Sequence, residues 1–344
     1  MKIVDIAAAA GVSPSTVSRV IRGSDRISPK TTALVHKAMQ ELGYPPIPIG
    51  GQQNLSSKSL SFIQRAVAVL TFGQEYSIDL LCNSSLFQDL SKVLASEGLS
   101  MLYHHFTKED KTLCPWMHFV SGAIILRGRP YEKVASWFEN RPHVTVNSSE
   151  ITEGDHLISG QNQVGQLAAD YLYKKGIRHF ASLNVLPEFS ETKGQIEGFD
   201  LFLKEHHVKH YDKLSVDRST PLPTKKTIPA IENRIQPMVE QLLQQGQDDP
   251  LGLFVPNDWI TAMVYRQFYL KKQSGFCNWT LISVGNVDSA LCGLYPRPAT
   301  IDIGLDSIGR NAVNLLLMRI HANTPHQPLQ IAIRPKIVPG DMDI

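Results

Sequence analysis

The side chains best placed to do chemistry lie within the first thirty residues of the chain. Short hydroxyls and guanidiniums recur there, at Ser13, Ser15, Thr16, Ser18, Arg19, Arg22 and Ser28. Hydroxyl and guanidinium groups commonly contact nucleic-acid phosphates and the edges of bases. These residues therefore predict a surface that binds duplex DNA.

Two short helical patterns and a tight turn would position these side chains. Ile3, Ile6 and Ala10 repeat at helical spacing, and Gly11 can end the first helix. Ser13 can cap a second helix whose first residue is Pro14. Ser28 and Pro29 repeat this Ser-Pro pattern at the start of a third predicted helix, which has a broad apolar face. The pattern indicates a helix-turn-helix, although a helical hairpin that merely packs has the same periodicity.

Charge is unevenly distributed along the 344 residues. The chain carries a formal net charge of +2, of which residues 1–58 carry +4 and the remainder −2. A basic amino-terminal segment on a mildly acidic body favours a polyanionic partner for that segment alone.

A dense, collinear set of motifs resembles the lactose repressor (LacI/GalR) family of bacterial transcription regulators. The motifs are Asp5-Ile6-Ala7, Ala10-Gly11-Val12-Ser13, Thr16-Val17-Ser18-Arg19-Val20, Ala38-Met39 and Leu42-Gly43-Tyr44. The resemblance implies a DNA-binding headpiece over residues 1–46, in which Pro14 and Ser15 set operator preference. Arg19 would reach a base edge or a phosphate. Ser13, Thr16, Ser18, Arg22 and Ser28 complete the expected DNA contacts.

A segment rich in Pro, Gly and Ser follows the headpiece and predicts a linker over residues 47–65. In the family this segment forms a hinge helix that inserts a Leu into the minor groove, and Leu55 is the one candidate here. Ile47-Pro48-Ile49-Gly50-Gly51 departs from the family pattern. A flexible tether is the alternative interpretation.

Short apolar runs alternate with helical patterns over residues 66–344, which is typical of parallel sheets covered by helices. We expect an α/β body of two doubly wound parallel-sheet lobes. The resemblance implies lobes like those of periplasmic sugar-binding proteins. We place lobe 1 at about 66–163 and 303–322, and lobe 2 at about 164–302 and 323–344.

Open parallel sheets bind ligands beyond the carboxyl ends of their strands, where loops and helix N-termini converge. The effector-binding candidates are therefore Phe72, Arg127, Gln161, Gln195, Asn257, Asp258, Trp259 and Asp288. By resemblance, Asn257 matches an Asn that reaches a sugar hydroxyl. Gln195 stands where the family has an effector-binding Arg, and Gln161 where an Asp is usual. Val287 likewise replaces an Asp that binds the ligand.

Losing these charged groups removes the strongest hydrogen bonds from the expected pocket. The pocket is then either rebuilt for an unusual small polar effector, plausibly a sugar, or no longer responsive. A small-molecule-binding protein without DNA function is a more distant alternative. We expect no enzyme and no cofactor, because the chain has no phosphate-binding loop, nucleophile elbow or dinucleotide fingerprint. His206 and His210 lack a third ligand, so we expect no metal site.

The remaining expectations concern compartment and assembly. The four cysteines form no Cys-x-x-Cys pair, and no segment reaches the ~20 apolar residues of a membrane helix. We therefore expect a cytoplasmic protein that does not bind membranes. One headpiece makes few contacts, so the DNA-binding form should be a homodimer. The resemblance implies an interface that includes residues 86–97 and the region around 305–320.

Overall fold

The structure is a computed structural model of the chain. It describes residues 3–21, 27–41, 66–72, 85–110, 113–139, 141–146, 154–187, 189–216, 227–245, 250–270, 279–321 and 327–343. Arg22, Leu55 and the predicted linker 47–65 lie outside these residues.

The amino-terminal segment consists of three helices, α1 (Ile3–Ala10), α2 (Pro14–Ile21) and α3 (Pro29–Glu41). Gly11 lies at φ +66°, a left-handed conformation that suits glycine and turns the chain between α1 and α2. The helices share a small core formed by Ile6, Ala7, Val17, Val20, Val35, Ala38 and Met39. The predicted helix-turn-helix is therefore confirmed.

The first lobe contains a six-stranded parallel sheet with the strand order β11-β5-β4-β3-β1-β2. Its strands are β1 (Ala66–Phe72), β2 (Ser100–Phe106), β3 (Gly122–Arg127), β4 (His143–Val146), β5 (Asp155–Ser159) and β11 (Gln330–Ile333). Its helices are α4 (Ser85–Ser96), a 3₁₀ helix (Pro115–Phe119), α5 (Glu132–Phe138) and α11 (Leu305–His321). Leu90, Leu94, Ala312 and Leu316 join α4 and α11 in one core against the sheet.

The second lobe repeats this plan with the order β12-β10-β9-β8-β6-β7, parallel except for β12. Its strands are β6 (His179–Asn184), β7 (His210–Ser215), β8 (Leu251–Phe254), β9 (Trp279–Val284), β10 (Ala299–Asp302) and β12 (Lys336–Val338). Its helices are α6 (Gln161–Lys174), α7 (Ser190–Glu205), α8 (Ile228–Gln245), α9 (Asp258–Leu270), α10 (Asp288–Leu291) and a 3₁₀ helix (Asp341–Asp343).

Both sheets reverse their strand order once, between β1 and β3 in the first lobe and between β6 and β8 in the second. This is the doubly wound arrangement, and it places ligand-binding loops beyond the carboxyl ends of the strands. The predicted fold class of a helical headpiece and two parallel-sheet lobes is therefore confirmed.

Two features of the lobes differ from the expectation. We assigned residues 323–344 to lobe 2, but β11 pairs with β5 through Ile331–Leu157 and belongs to the first sheet. The chain therefore passes from the first lobe back to the second between Ile333 and Lys336. The apolar runs of the sequence did not indicate β5, β10 or β12, and β5 carries Asp155, His156 and Ser159 among its five residues.

No helix among the described residues is long and apolar enough to cross a membrane.

Candidate functional site

The first turn of α2 is capped by the Ser13 side chain. The Ser13 Oγ accepts a hydrogen bond from the Thr16 backbone N–H at 3.1 Å, and Pro14 occupies the first helical position. The same Oγ lies 2.7 Å from Ser15 Oγ and 2.8 Å from Thr16 Oγ1. Three hydroxyls therefore cluster at the helix N-terminus, where unpaired N–H groups and the helix dipole favour a phosphate.

The two faces of α2 have opposite character. Val17 and Val20 are 0% and 5% exposed and anchor the helix on the headpiece core. Pro14, Ser15 and Arg19 are exposed, and Thr16 and Ser18 are half-buried. The structure thus brings the predicted base-reading residues Ser15 and Arg19 onto one exposed helix.

Ser28 caps α3 in the way that Ser13 caps α2. Its Oγ accepts the Thr31 backbone N–H at 3.2 Å and lies 2.8 Å from Thr31 Oγ1. Ser28 is itself exposed, which suits the phosphate-positioning role expected of it. Arg22 and Leu55, the two other predicted DNA contacts, lie outside the described residues.

In the body, the first crossover between the lobes carries a chain of hydrogen bonds. The Gln161 Nε2 donates to Ser159 Oγ at 2.6 Å, and the Gln195 Nε2 donates to Gln161 Oε1 at 2.6 Å. Ser159 ends β5 in the first lobe, whereas Gln161 and Gln195 lie on α6 and α7 of the second. The crossover is therefore bridged by uncharged groups.

The two glutamines meet because α6 and α7 cross at unusually short range. A Cβ at Gly165 would overlap the Gln195 carbonyl oxygen, and one at Gly198 would overlap the Asn162 carbonyl oxygen. Only glycine fits at both positions. The sequence segments that suggested Gln161 and Gln195 therefore also contain Gly165 and Gly198, the glycines that let the two side chains meet.

One polar atom in this series of hydrogen bonds has no partner among the described residues. Gln195 is 4% exposed, and its Oε1 is buried without a hydrogen bond among the described residues. Turning both amides over would let Gln161 donate to Gln195, but the Gln195 nitrogen would then be unpaired. Either orientation leaves one buried amide group unsatisfied, which favours a missing polar partner.

Asn257 and Asp258 serve the architecture of the second lobe. The Asn257 Oδ1 accepts the Ile260 N–H at 3.1 Å and caps α9. Asp258 is 1% exposed and accepts hydrogen bonds from the Ser283 hydroxyl, the Val287 N–H and the Thr300 hydroxyl. Burial raises the pKa of Asp258 despite these three donors. Asp258 therefore ties α9 to the ends of β9 and β10.

The surroundings of the remaining effector candidates differ from those of the hydrogen-bonded glutamines at this crossover. Phe72 is 3% exposed and stacks on Phe106 at 5.1 Å, so its ring belongs to the core of the first lobe. Asp288 pairs with Arg297 at 3.1 Å and is exposed. Trp259 is 37% exposed, and the Arg127 side chain lies outside the described part of the structure.

A small cavity lies at the carboxyl ends of β6 and β8. Its volume is about 10 Å³, which holds one water molecule, and its polar lining consists of Asn184, Thr192 and Asn257. Thr192 is one turn before Gln195 on α7. The second lobe thus presents a compact, uncharged polar edge here.

The sequence did not single out several polar groups at strand ends. Ser159 ends β5, and Thr71 lies near the end of β1, where its Oγ1 contacts His105 Nδ1 at 2.8 Å and Tyr103 Oη at 3.0 Å. Ser159 could have been identified from its position just before Gly160 and Gln161, but the sequence pattern did not predict the strand β5. Among the described residues, no group of three His, Cys, Asp or Glu side chains could hold a metal ion.

Comparison with known proteins relates the headpiece and the whole chain to characterised regulators. Residues 2–46 match the family model described as bacterial regulatory proteins, lacI family. The transcriptional regulator MalR of Streptococcus pneumoniae serotype 4 is 28% identical over 337 residues, which cover 93% of each protein.

Two solved structures share the overall fold. The lac repressor dimer bound to operator and the anti-inducer ONPF aligns with a TM-score of 0.63 at 18% identity, over 100% of this chain and 99% of that chain. The complex of the transcriptional regulator CelR with cellobiose aligns with a TM-score of 0.60 at 16% identity, over 99% of both chains.

Proposed function

Because the chain belongs to the LacI family of bacterial transcriptional regulators, we propose that it represses transcription by binding a specific operator through α2. The observation that carries this proposal is the division of α2 between buried Val17 and Val20 and exposed Ser15 and Arg19. A helix so anchored can enter the major groove with its first turn against the bases. The chain is a DNA-binding regulator and not an enzyme.

Selection of bound sequences from a random duplex library tests this proposal. We expect the full-length protein to enrich one sequence, and footprinting to show protection there at physiological salt. A protein with no preference among duplexes, or with no binding at low salt, would contradict the proposal.

We propose further that the DNA-binding species is a homodimer. The lac repressor that shares this fold was solved as a dimer on its operator. Exposed apolar surface in the second lobe supports the same assembly here: Tyr269, Leu270 and Tyr295 are 56%, 66% and 78% exposed. Tyr269 and Tyr295 are neighbours, because the Tyr269 hydroxyl donates to the Tyr295 backbone carbonyl at 2.9 Å. The residues 86–97 and 305–320 remain part of the proposed interface.

We also propose that an uncharged polar effector such as a sugar binds between the lobes. Two features support this: the Ser159–Gln161–Gln195 chain crosses between them, and its one unsatisfied amide group calls for a hydroxyl-like partner. Asn257, Trp259 and Arg127 remain candidate contacts. Binding would shift the equilibrium between lobe arrangements and so change operator affinity.

Calorimetric titration of neutral sugars and sugar phosphates into the full chain tests the effector proposal. We expect saturable heat from a neutral sugar and its loss in Gln195→Met, which keeps the side-chain volume but removes the amide. If no compound binds while operator binding persists, the protein is a regulator with a non-responsive pocket.

A further inference from the structure

The chain passes between the two lobes through three short crossovers, which we number in chain order. Gly160 leads from β5 to α6, Ile303 and Gly304 lead from β10 to α11, and Arg334 and Pro335 lead from β11 to β12. Each lobe is a packed body around its own sheet. Any rotation of one lobe against the other must therefore be taken up by backbone torsions at these crossovers.

The third crossover has the least freedom to bend. Pro335 is buried, its ring fixes its own φ at about −65°, and it restricts Arg334 to extended torsions. The strands on both sides are hydrogen-bonded in their sheets, β11 to β5 and β12 to β10. We therefore expect rotation to fall mainly on the first and second crossovers.

Ile333 contacts all three crossovers. It is the last residue of β11 and leads directly into the third crossover. Its carbonyl oxygen accepts the N–H of Gly160, in the first crossover, at 3.4 Å. Its side chain faces the second crossover, because a Cβ added at Gly304 would lie 2.7 Å from Ile333 Cγ2. The three paths between the lobes therefore meet at one side chain and its carbonyl.

The contact between Gly304 and Ile333 joins a segment fixed to each lobe. Gly304 lies at φ +71°, a left-handed conformation that suits glycine. Its N–H donates to the Asp302 Oδ1 at 2.8 Å, and the Asp302 Oδ2 pairs with Lys336 at 3.3 Å, so the second lobe holds this turn. Ile333 instead packs against the core of the first lobe. A rotation of the lobes must change this contact.

We propose that Ile333 is a positioning residue that sets the angle between the lobes. Its β-branch methyl, Cγ2, fills the space against Gly304, while its carbonyl holds Gly160. The angle between the lobes would also set the spacing of the two headpieces in the proposed homodimer. The consequence for operator affinity rests on the proposed function, whereas the effect on the lobes does not.

Two substitutions at Ile333 separate the effect of the methyl from that of side-chain volume. Ile333→Val keeps Cγ2 and removes only the terminal methyl, whereas Ile333→Leu keeps the volume and removes the branch at Cβ. A role in filling space alone would make valine the more disruptive change. We expect the opposite, because only leucine removes the methyl that faces Gly304.

Förster transfer within one chain measures the angle between the lobes. Dyes are attached through unnatural amino acids at Lys92 in α4 and Lys204 in α7, which are both exposed, and labelled full-length chains are diluted into unlabelled ones. We expect Ile333→Leu to shift the mean transfer efficiency and Ile333→Val to leave it unchanged. Operator affinity in gel shifts should change roughly 2- to 30-fold in Ile333→Leu and stay near the wild-type value in Ile333→Val.

Ile331→Leu is the matched control. Ile331 lies on the same strand, is half-buried like Ile333 and packs against the same core, but it pairs with Leu157 inside the sheet. The two leucine variants should therefore have similar Tm values, and only Ile333→Leu should change the transfer efficiency. Equal shifts in both variants, or the wild-type efficiency in Ile333→Leu, would overturn the proposal.

Gly304→Ala tests the contact from its other side. The added Cβ would meet Ile333 Cγ2, so we expect the transfer efficiency to shift. Combining it with Ile333→Ala removes that methyl and should move the efficiency back toward the wild-type value, whereas Ile331→Ala should not. A shift that Ile333→Ala leaves unchanged would contradict the contact. The dye measurement uses no DNA, so its failure and a failure of operator binding are separate results.

Discussion

At the scale of single residues, we expect function in the headpiece to depend on side chains that do not pack into its core. Ser13 and Ser28 are committed as helix caps, while Arg19 is exposed on the outer face of α2. Caps fix the position of a helix, and exposed donors read its surroundings. The ability to distinguish sequences should therefore be concentrated in very few residues.

Replacing Arg19 by alanine tests this concentration. A bidentate bond from Arg to guanine is worth about 1–3 kcal/mol of discrimination. We expect Arg19→Ala to lower the ratio of operator to non-operator affinity by roughly 5- to 150-fold. Competition gel shifts measure the ratio, and Arg266→Ala, in the second lobe, is the control. Unchanged footprinting by Arg19→Ala would contradict its assignment.

Asp343 shows how one carboxylate can hold a chain end. It accepts hydrogen bonds from the Tyr171 hydroxyl at 2.6 Å and the Gly340 N–H at 2.8 Å, and it pairs with Lys175. Burial alone would raise the pKa of Asp343, but Lys175, Tyr171 and Gly340 together lower it below its ordinary value of 3.8. The ionised form is therefore the one that stabilises the folded state.

A pH series on Asp343→Asn tests this contribution. A lowered folded-state pKa gives stability that is present above pH 3.8 and lost as pH falls through the folded pKa. We expect the variant to lose about 1–3 kcal/mol of unfolding free energy at pH 7, and the difference from wild type to shrink as the pH falls below about 4. Urea denaturation at several pH values measures it. A difference that does not change with pH would exclude the ionised carboxylate as the cause.

At the scale of elements, the crossing of α6 over α7 brings together the two glutamines that we propose as effector contacts. Gly165 and Gly198 let the two helices approach until Gln161 and Gln195 bond to each other. A larger residue at either position would push the helices apart and separate these amides. Helix packing and the proposed effector binding therefore depend on the same two glycines.

Gly165→Ala tests this dependence. The added Cβ would meet the Gln195 backbone, which is not a flexible side chain, so one helix must move. We expect a loss of about 1–3 kcal/mol of unfolding free energy and loss of any effector response. Gly293→Ala is the control, since a Cβ there has no atom within 4 Å. Equal stability of the two variants in urea would show that the crossing tolerates more space than we describe.

At the scale of the whole molecule, two half-sites on DNA need two headpieces held at a fixed spacing. The proposed homodimer would provide this, and its exposed apolar surface in the second lobe includes Tyr269, Leu270 and Tyr295. Three large apolar side chains that are more than half exposed on the same lobe favour an interface.

Tyr295→Asp tests the assembly. A carboxylate at this exposed position cannot be buried in an interface without a large desolvation penalty. We expect the variant to sediment as a monomer at micromolar concentration and to lose at least tenfold in affinity for a two-half-site operator. Leu201→Asp, at another exposed apolar residue, should do neither. A dimeric Tyr295→Asp would place the interface elsewhere, and a wild type that is monomeric at every concentration would contradict the homodimer itself.

The sequence by itself determined what local rules can specify. Gly11, Ser13 and Pro14 sufficed to predict the helix-turn-helix, because capping and turn conformations depend on neighbours in the chain. The alternation of apolar runs was enough to predict two parallel-sheet lobes, because burial on both faces leaves a continuous apolar pattern.

Tertiary structure decided where distant segments meet. β11 joined the first sheet, since strand pairing between residues far apart in sequence leaves no local signal. Tertiary structure also made Asp258 a buried hydrogen-bond acceptor that links α9 to β9 and β10, and it placed Phe72 in the core of the first lobe. The same packing paired Gln161 with Gln195. The buried ion pair of Asp155 and Arg319 joins residues 164 positions apart, so it could be seen only in the folded chain.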